Sequence, residues 1–216
     1  IPNLFRRFFG EGAFNQAFVP VFSEYRVQKT HKELTLFLGE VSGTLGSILL
    51  LITVATVLFS PLVVVMFASG FLSDPYLFEV TNHLLKWMLP YLFFICLSAM
   101  YSSSLNALNH FSIPAAVPIV LNLCLITGAL SSFYFKEPIY ALGYAVFIAG
   151  ILQMGVLIYA VYQKNLLTKP RVAFRSSGVK KVMLLMVPAI IGSSSNQINI
   201  LINTQLASRL ETGSIT

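Results

Sequence analysis

The sequence predicts an all-α fold, a polytopic transmembrane bundle of about six spans, and three observations carry that prediction. Of the 216 residues, 56% are hydrophobic and only 10% are charged, whereas a soluble domain carries roughly a quarter charged residues. The mean hydropathy is +0.78. Uncharged apolar stretches also recur along the chain, and each exceeds the ~20 residues needed to cross ~30 Å of hydrocarbon as a helix. The chain lacks an initiator Met, opens inside what reads as a span and stops at Glu211-Thr212-Gly213-Ser214-Ile215-Thr216 with no terminal signal. It is therefore expected to be a piece of something longer.

The first expected span, 1–25, is apolar and aromatic but carries Arg6, Arg7 and Glu11. A polar connector from Arg26 to Lys32 leads to a second span within 40–70, free of charge from Val41 to Ser73. Asp74 and Glu79 mark a short acidic loop before the third span, 83–108, where Lys86 near the end is the only charge. Asn109-His110-Phe111-Ser112 reads as a tight turn. The fourth span, 114–135, has no charge, and Lys136-Glu137-Pro138 separates it from the fifth, 139–163. A basic linker, 164–181, precedes the sixth span, 182–208, and residues 209–216 form the truncated end.

Orientation follows from the basic residues. The linker holds Lys164, Lys169, Arg171, Arg175, Lys180 and Lys181 and no acid, which places it in the cytoplasm by the positive-inside rule. Counting back by parity, the connector with Arg26, Lys29 and Lys32 is also cytoplasmic, and the loop with Asp74 and Glu79 falls outside.

The same composition excludes other classes. Cys96 and Cys124 both lie in apolar spans, far from any Cys or His at ligand spacing, so neither a disulfide framework nor a zinc site is supported. The formal charge of +6 sits between spans and not on one soluble face, which argues against nucleic acid as a partner. No short basic start with an apolar core and a small-residue cleavage site is visible. The only Asp is Asp74, in an expected outer loop, and His31, His83 and His110 are dispersed. No phosphate-binding Gly-rich loop, nucleophile elbow or metal-spaced pair occurs, so no catalytic residue, metal or cofactor is assigned.

Pro20, Pro61, Pro90, Pro114, Pro118 and Pro188 fall within spans or at their ends. Each removes a helix hydrogen bond and tends to kink its helix. Kinks suit a bundle that moves, although proline is in any case commoner in transmembrane helices than in soluble ones.

Two groups of polar residues carry the chemistry. Charge inside a membrane costs several kcal/mol unless it is paired or faces water, so Arg6, Arg7 and Glu11 imply a polar interior. Arg7 and Glu11, four apart, are placed to pair on one helix face; Arg6 projects about 100° away and is the better anion ligand. Its guanidinium donates a bidentate fork that matches phosphate or carboxylate. In the sixth span Asn196, Asn199 and Asn203 fall at i, i+3 and i+7, which lays three carboxamides along one stripe. The stripe reads as cavity lining, with interhelical hydrogen bonding beside Gly192 and Ser193 to Ser195 as the packing alternative. The run Tyr101-Ser102-Ser103-Ser104-Leu105-Asn106 and Asn122 read mainly as packing residues.

The opening run from Ile1-Pro2-Asn3-Leu4-Phe5-Arg6-Arg7 through Gly10-Glu11-Gly12 to Val19-Pro20 strongly resembles the second-helix signature of the MurJ/MviN family of bacterial lipid II flippases. These belong to the multidrug/oligosaccharidyl-lipid/polysaccharide exporter superfamily. Asn106 to Ala115, Pro188 to Gly192, Gln197 and Ile202-Asn203-Thr204 extend the resemblance over essentially the whole chain.

The resemblance implies a transporter of the bacterial inner membrane, built from two six-helix lobes and an extra helix pair around a cationic cavity. This chain would supply helices two to seven: most of the first lobe over 1–163, then the linker, then the first helix of the second lobe. On that mapping Arg6 matches an arginine associated with substrate translocation, Glu11 a nearby carboxylate and Asn3 a polar residue of the same helix. The implied partners are the lipid-linked peptidoglycan precursor, membrane lipids and the remainder of the same transporter chain. The implied activity is translocation of that precursor to the outer leaflet by alternating access, without enzymatic chemistry. A related exporter of drugs or of another lipid-linked glycan, or a non-transporting membrane scaffold, are the competing readings; charge inside the first span argues against the scaffold.

Overall fold

The computed structural model describes residues 13–207, and all regular structure among them is helical. The helices are α1 (Ala13–Gln28), α2 (His31–Leu58), α3 (Ser60–Phe67), α4 (Pro75–Met88), α5 (Pro90–Ala107), α6 (Ser112–Leu130), α7 (Pro138–Gln163) and α8 (Ser177–Ala207). Short 3-10 turns at Ser69–Ser73 and Ser132–Tyr134 end α3 and α6. His31–Leu58, the broken rod Pro75–Ala107, Ser112–Leu130 and Pro138–Gln163 are each long and apolar enough to cross a membrane. The first and sixth expected spans correspond to α1 and α8.

Several boundaries differ from expectation, each for a local reason. Only Lys29 and Thr30 separate α1 from α2, where a connector from Arg26 to Lys32 was expected. The second helix starts at His31 and not near 40 because Thr30 and Glu33 form a capping box. The Thr30 hydroxyl accepts from the Glu33 N–H at 3.3 Å, and the Thr30 N–H donates to Glu33 Oε2 at 2.9 Å. The second span is also two helices, since Pro61 sits in the first turn of α3 and has no N–H to continue α2. Pro90 breaks the third span at Leu89 in the same way. That span begins at Pro75: Asp74 is its N-cap, accepting from the N–H groups of Tyr76 and Leu77 at 3.0 and 3.2 Å. Glu79 therefore lies on α4 and not in a loop. Likewise Lys180 and Lys181 lie on α8, which starts five residues before position 182.

Because lipid tails are as apolar as the side chains, helix association here rests on close packing and hydrogen bonds. On α1, Phe14, Phe18 and Phe22 form a stripe at four-residue spacing with no more than 1% of any ring exposed. Phe14 and Phe18 stack at 5.2 Å between centroids, and α2 contributes Phe37, which stacks on Tyr25 at 4.3 Å. Such ring pairs contribute about 0.5–1.5 kcal/mol each beyond their buried area. On α7, Ala141, Ala145, Ala149, Gln153, Leu157 and Val161 form another buried four-residue stripe. Its small members let α5 and α6 approach, as does Gly150, where an added Cβ would lie 2.8 Å from a ring carbon of Tyr91. The helix break at Phe59 is held by Ser60, fully buried, whose hydroxyl donates to Asn82 Oδ1 at 2.7 Å.

The two ends of the bundle differ in charge. At one end the turn after α5, the α1–α2 junction and the linker before α8 come together: Arg26 donates to the Ala107 carbonyl and Lys181 to Glu24. At the opposite end Tyr76 donates to Glu137 at 2.7 Å, and His83, Trp87, Tyr140 and Tyr144 cluster, with His83 Nε2 3.2 Å from the Tyr144 hydroxyl. A belt of Trp and Tyr is what a membrane interface favours. The grouping of Arg26, Lys29 and the linker at one end, away from Asp74 and Glu79, is the alternation that parity requires.

Candidate functional site

Asn3, Arg6, Arg7 and Glu11 lie outside the described residues. Asn196 and Asn199 stand on α8 but outside the residues whose side chains are described, and Asn203 is exposed on the same helix. The structure does bring together α8 and the helix that follows the arginine motif in sequence. α1, which follows the arginine motif, packs more extensively on α8 than on any other helix.

The pair is antiparallel. Lys181 and Gly178 in the first turns of α8 meet Glu24 and Tyr25 near the end of α1, and an added Cβ on Gly178 would lie 2.7 Å from the Tyr25 hydroxyl. Farther along, Phe14, Val41, Leu45, Val182, Met186 and Ile190 line an apolar cleft of about 180 Å³ between α1, α2 and α8. Glu11 is three residues before Phe14 in sequence, and Asn196 is six residues beyond Ile190.

The start of α8 is set by the linker, which is strapped to α2. The Arg171 N–H donates to the Gly39 carbonyl at 2.9 Å, the Ala173 N–H to the Thr44 hydroxyl at 3.0 Å, and the Ser176 hydroxyl to Glu40 at 2.5 Å. The linker leaves α7 through a Schellman turn, with Asn165 at φ 55° and the Leu166 N–H bonded to the Val161 carbonyl at 3.2 Å. The start of α8 is thus held by backbone and side-chain hydrogen bonds to α2 and not by the length of the linker alone.

A second polar locus includes Ser102, Ser103 and Asn106, which were expected mainly to pack. Between α1, α5, α6 and α7 lies a cavity of about 270 Å³ lined on its polar side by Asn15, Ser98, Ser102, Ser103, Asn106 and Gln153. The Ser103 hydroxyl donates to Asn15 Oδ1 at 2.6 Å, and Gln153 Nε2 donates to the Val117 carbonyl at 3.1 Å. Ser98 and Gln153 are nine and ten residues from the ends of α5 and α7 at Ala107 and Gln163, so the cavity sits about 15 Å into the bundle from its basic end. The available signals were Ser98, Ser102 and Asn106 at i, i+4 and i+8, and a lone Gln153 in a stripe of alanines. Among the described residues no group of three His, Cys, Asp or Glu side chains is placed to hold a metal ion.

Comparison with known proteins follows this geometry. The family model described as "Lipid II flippase MurJ" matches residues 1–216. The probable lipid II flippase MurJ of Haemophilus influenzae is 40% identical over 223 residues, covering all of this chain and 44% of that protein. Its counterpart in Buchnera aphidicola subsp. Acyrthosiphon pisum is 39% identical over 216 residues, again over the whole chain and 42% of the relative. The lipid II flippase MurJ of Burkholderia cenocepacia is 36% identical over 220 residues. A solved lipid II flippase MurJ in an inward closed conformation superposes with a TM-score of 0.79 at 28% identity, covering 99% of this chain and 43% of that one. The chain thus spans less than half the length of the relatives it matches. Four helices among the described residues are long and apolar enough to cross a membrane, and with its likeness to these flippases the chain is a multi-pass protein of the bacterial inner membrane. On the match over its entire length, at identities of up to 40%, this chain belongs to the lipid II flippase MurJ family.

Proposed function

We propose that the chain forms part of a flippase that moves the lipid-linked peptidoglycan precursor from the cytoplasmic to the outer leaflet by alternating access. The observation that carries the reading is the whole-length family match, joined to a fold in which α1, the helix next after the arginine motif in sequence, and the asparagine-bearing α8 are neighbours. The precursor joins a polyprenyl chain to a disaccharide-pentapeptide through a pyrophosphate. Arg6 would bind that pyrophosphate through its guanidinium fork, with Glu11 holding Arg7, and Asn3, Asn196, Asn199 and Asn203 would offer amides to the head group. The polyprenyl tail needs no protein cavity, since hydrocarbon already solvates it.

Most of the chain, 1–163, acts as one lobe and α8 as the first element of the other. Rocking between them is eased by helix breaks at Phe59 and Leu89 and by Pro118 and Pro188 within α6 and α8. Binding and release suffice for such transport, so no covalent step on the substrate is required.

The test is complementation of a flippase-depleted bacterium with the full-length protein, scoring precursor exposed on the outer face of the inner membrane. Restored exposure supports the reading. Failure to restore it, with protein at normal abundance in the membrane, refutes it.

A further inference from the structure

The linker before α8 dips along α2 and turns back. On the way in, the Arg171 N–H donates to the Gly39 carbonyl; at the turn, the Ala173 N–H donates to the Thr44 hydroxyl; on the way out, the Ser176 hydroxyl donates to Glu40. Thr44 lies five residues past Gly39 and four past Glu40 on α2, so the segment around Ala173 sits about 6–7 Å farther along that helix than its two arms. The sequence of α2 fixes the level of the dip. The helix starts at the basic end of the bundle, which the positive-inside rule assigns to the cytoplasm, and it carries no charge from Val41 to its end at Leu58. Gly39 and Glu40 therefore mark the edge of the hydrocarbon, and Thr44 stands just inside it.

The side chains at the bottom of the dip suit that level. On either side of Ala173, Val172 is 61% and Phe174 47% exposed. The arms are basic: Lys169 and Arg171 on one and Arg175 and Lys180 on the other are all exposed, and no acid occurs from 164 to 181. On the facing helices Glu24 and Glu40 are engaged by Lys181 and Ser176. Apolar tips flanked by cations, held where hydrocarbon begins, have the composition of a segment that lies in the headgroup layer, with its apolar groups among the acyl chains and its cations on lipid phosphates. The long stem of Arg171 lets its guanidinium reach outward to that layer from a backbone seated deeper. A dissolved phosphate would satisfy the cations but leave Val172 and Phe174 in water.

We propose that the linker is an interfacial anchor: Val172 and Phe174 insert into the cytoplasmic leaflet, and Lys169, Arg171, Arg175 and Lys180 bind the phosphates of its anionic lipids. Because the same backbone is seated on α2, the leaflet and α2 together set the depth at which α8 begins. The anchor holds whatever the transporter carries.

The experiment uses the full-length protein, free of other cysteines, in nanodiscs of phosphatidylcholine with and without phosphatidylglycerol. A nitroxide is attached through Val172→Cys, Phe174→Cys or, as the aqueous reference, Lys29→Cys. Its relaxation is measured with oxygen, which concentrates among acyl chains, and with a water-soluble nickel chelate. With phosphatidylglycerol present, oxygen should outweigh nickel severalfold at 172 and 174, and nickel should outweigh oxygen at 29. Lys169→Gln, Arg171→Gln and Arg175→Gln together should raise nickel access at 174 severalfold, toward its value in phosphatidylcholine alone; the seat survives this exchange because it uses the backbone N–H of Arg171. Nickel access at 172 and 174 equal to that at 29 would place the linker in water and overturn the anchor. Low access of both reagents would mean that the rest of the transporter covers these side chains, which overturns it equally. Nickel access at 174 that is unchanged by phosphatidylglycerol and by the triple exchange removes the headgroup contact and with it the proposal.

Discussion

The backbone of Arg171 occupies the space that a side chain at Gly43 would need. A Cβ on Gly43 would lie 2.4 Å from the Arg171 nitrogen and 2.5 Å from its carbonyl oxygen. One turn earlier an added Cβ on Gly39 would lie 2.3 Å from Thr168 Cγ2, while the Gly39 carbonyl accepts from the Arg171 N–H at 2.9 Å. Two glycines on one face of α2 are therefore the seat of the linker that aims α8.

Gly43→Leu should lift that linker. The obstacle is backbone and cannot rotate aside, so a loss of about 1–3 kcal/mol is expected, as for other overpacked sites. Trypsin cleavage at Arg171 and Arg175 in open membranes should rise severalfold. Gly46→Ala is the control, because its Cβ would meet only ordinary contacts at 3.8 Å or more. Equal cleavage of all three proteins would mean that the linker is not seated on α2.

The two ends of the bundle should lie on opposite sides of the membrane. Single cysteines at Lys169 and Lys29 should react with an impermeant thiol reagent only from the cytoplasm, and one at the exposed Glu79 only from outside. Labelling of positions 79 and 169 from one side would refute the alternation.

Asn109 and Asn165 hold positive φ, 64° and 55°, at the ends of α5 and α7. Both close Schellman turns: the His110 N–H bonds to the Leu105 carbonyl at 2.9 Å, matching Leu166 to Val161. Val at either position should cost about 1–3 kcal/mol of backbone strain, whereas Gly should be tolerated. Thermal unfolding of the detergent-solubilised full-length protein ranks the variants, and Val matching wild type would disprove the strain.

At Arg6 the guanidinium and its charge are separable. Lys keeps the charge without the planar fork and Ala keeps neither, so precursor exposure should fall from Arg to Lys to Ala at equal abundance. Arg7 should be less sensitive if, as proposed, its role is to pair with Glu11. Asn203→Leu should lower transport while leaving insertion intact, since Leu is favourable in hydrocarbon. Transport by Arg6→Ala equal to wild type would remove Arg6 from the mechanism.

The fifth span was legible to within one residue, 139–163 expected and Pro138–Gln163 observed, because Pro138 and Lys164 punctuate an unbroken apolar run. The second and third were legible as spans but not as pairs of helices. A hydropathy window averages across Pro61 and Pro90, while the backbone must leave a donor out at each. The capping groups Thr30 and Asp74 were present in the sequence, yet they sit outside the apolar runs that drew the boundaries. In the site, the charged motif stood out because charge in hydrocarbon is costly, whereas Gln153 did not, since one amide raises little contrast against leucine and alanine.

The sequence by itself determined the solvent, the helical class, the alternation of loops and the family. These depend on composition, on the penalty for bare backbone polar groups in lipid, and on a long contiguous motif. Only the tertiary structure decided which helices are neighbours. The α1–α8 pairing, the seating of Arg171 on Gly43 and the meeting of Asn15, Ser98 and Gln153 join residues 55 or more positions apart. Such contacts are selected by the fit of small residues against backbone and rings, a property of facing surfaces that no single helix carries in its own periodicity.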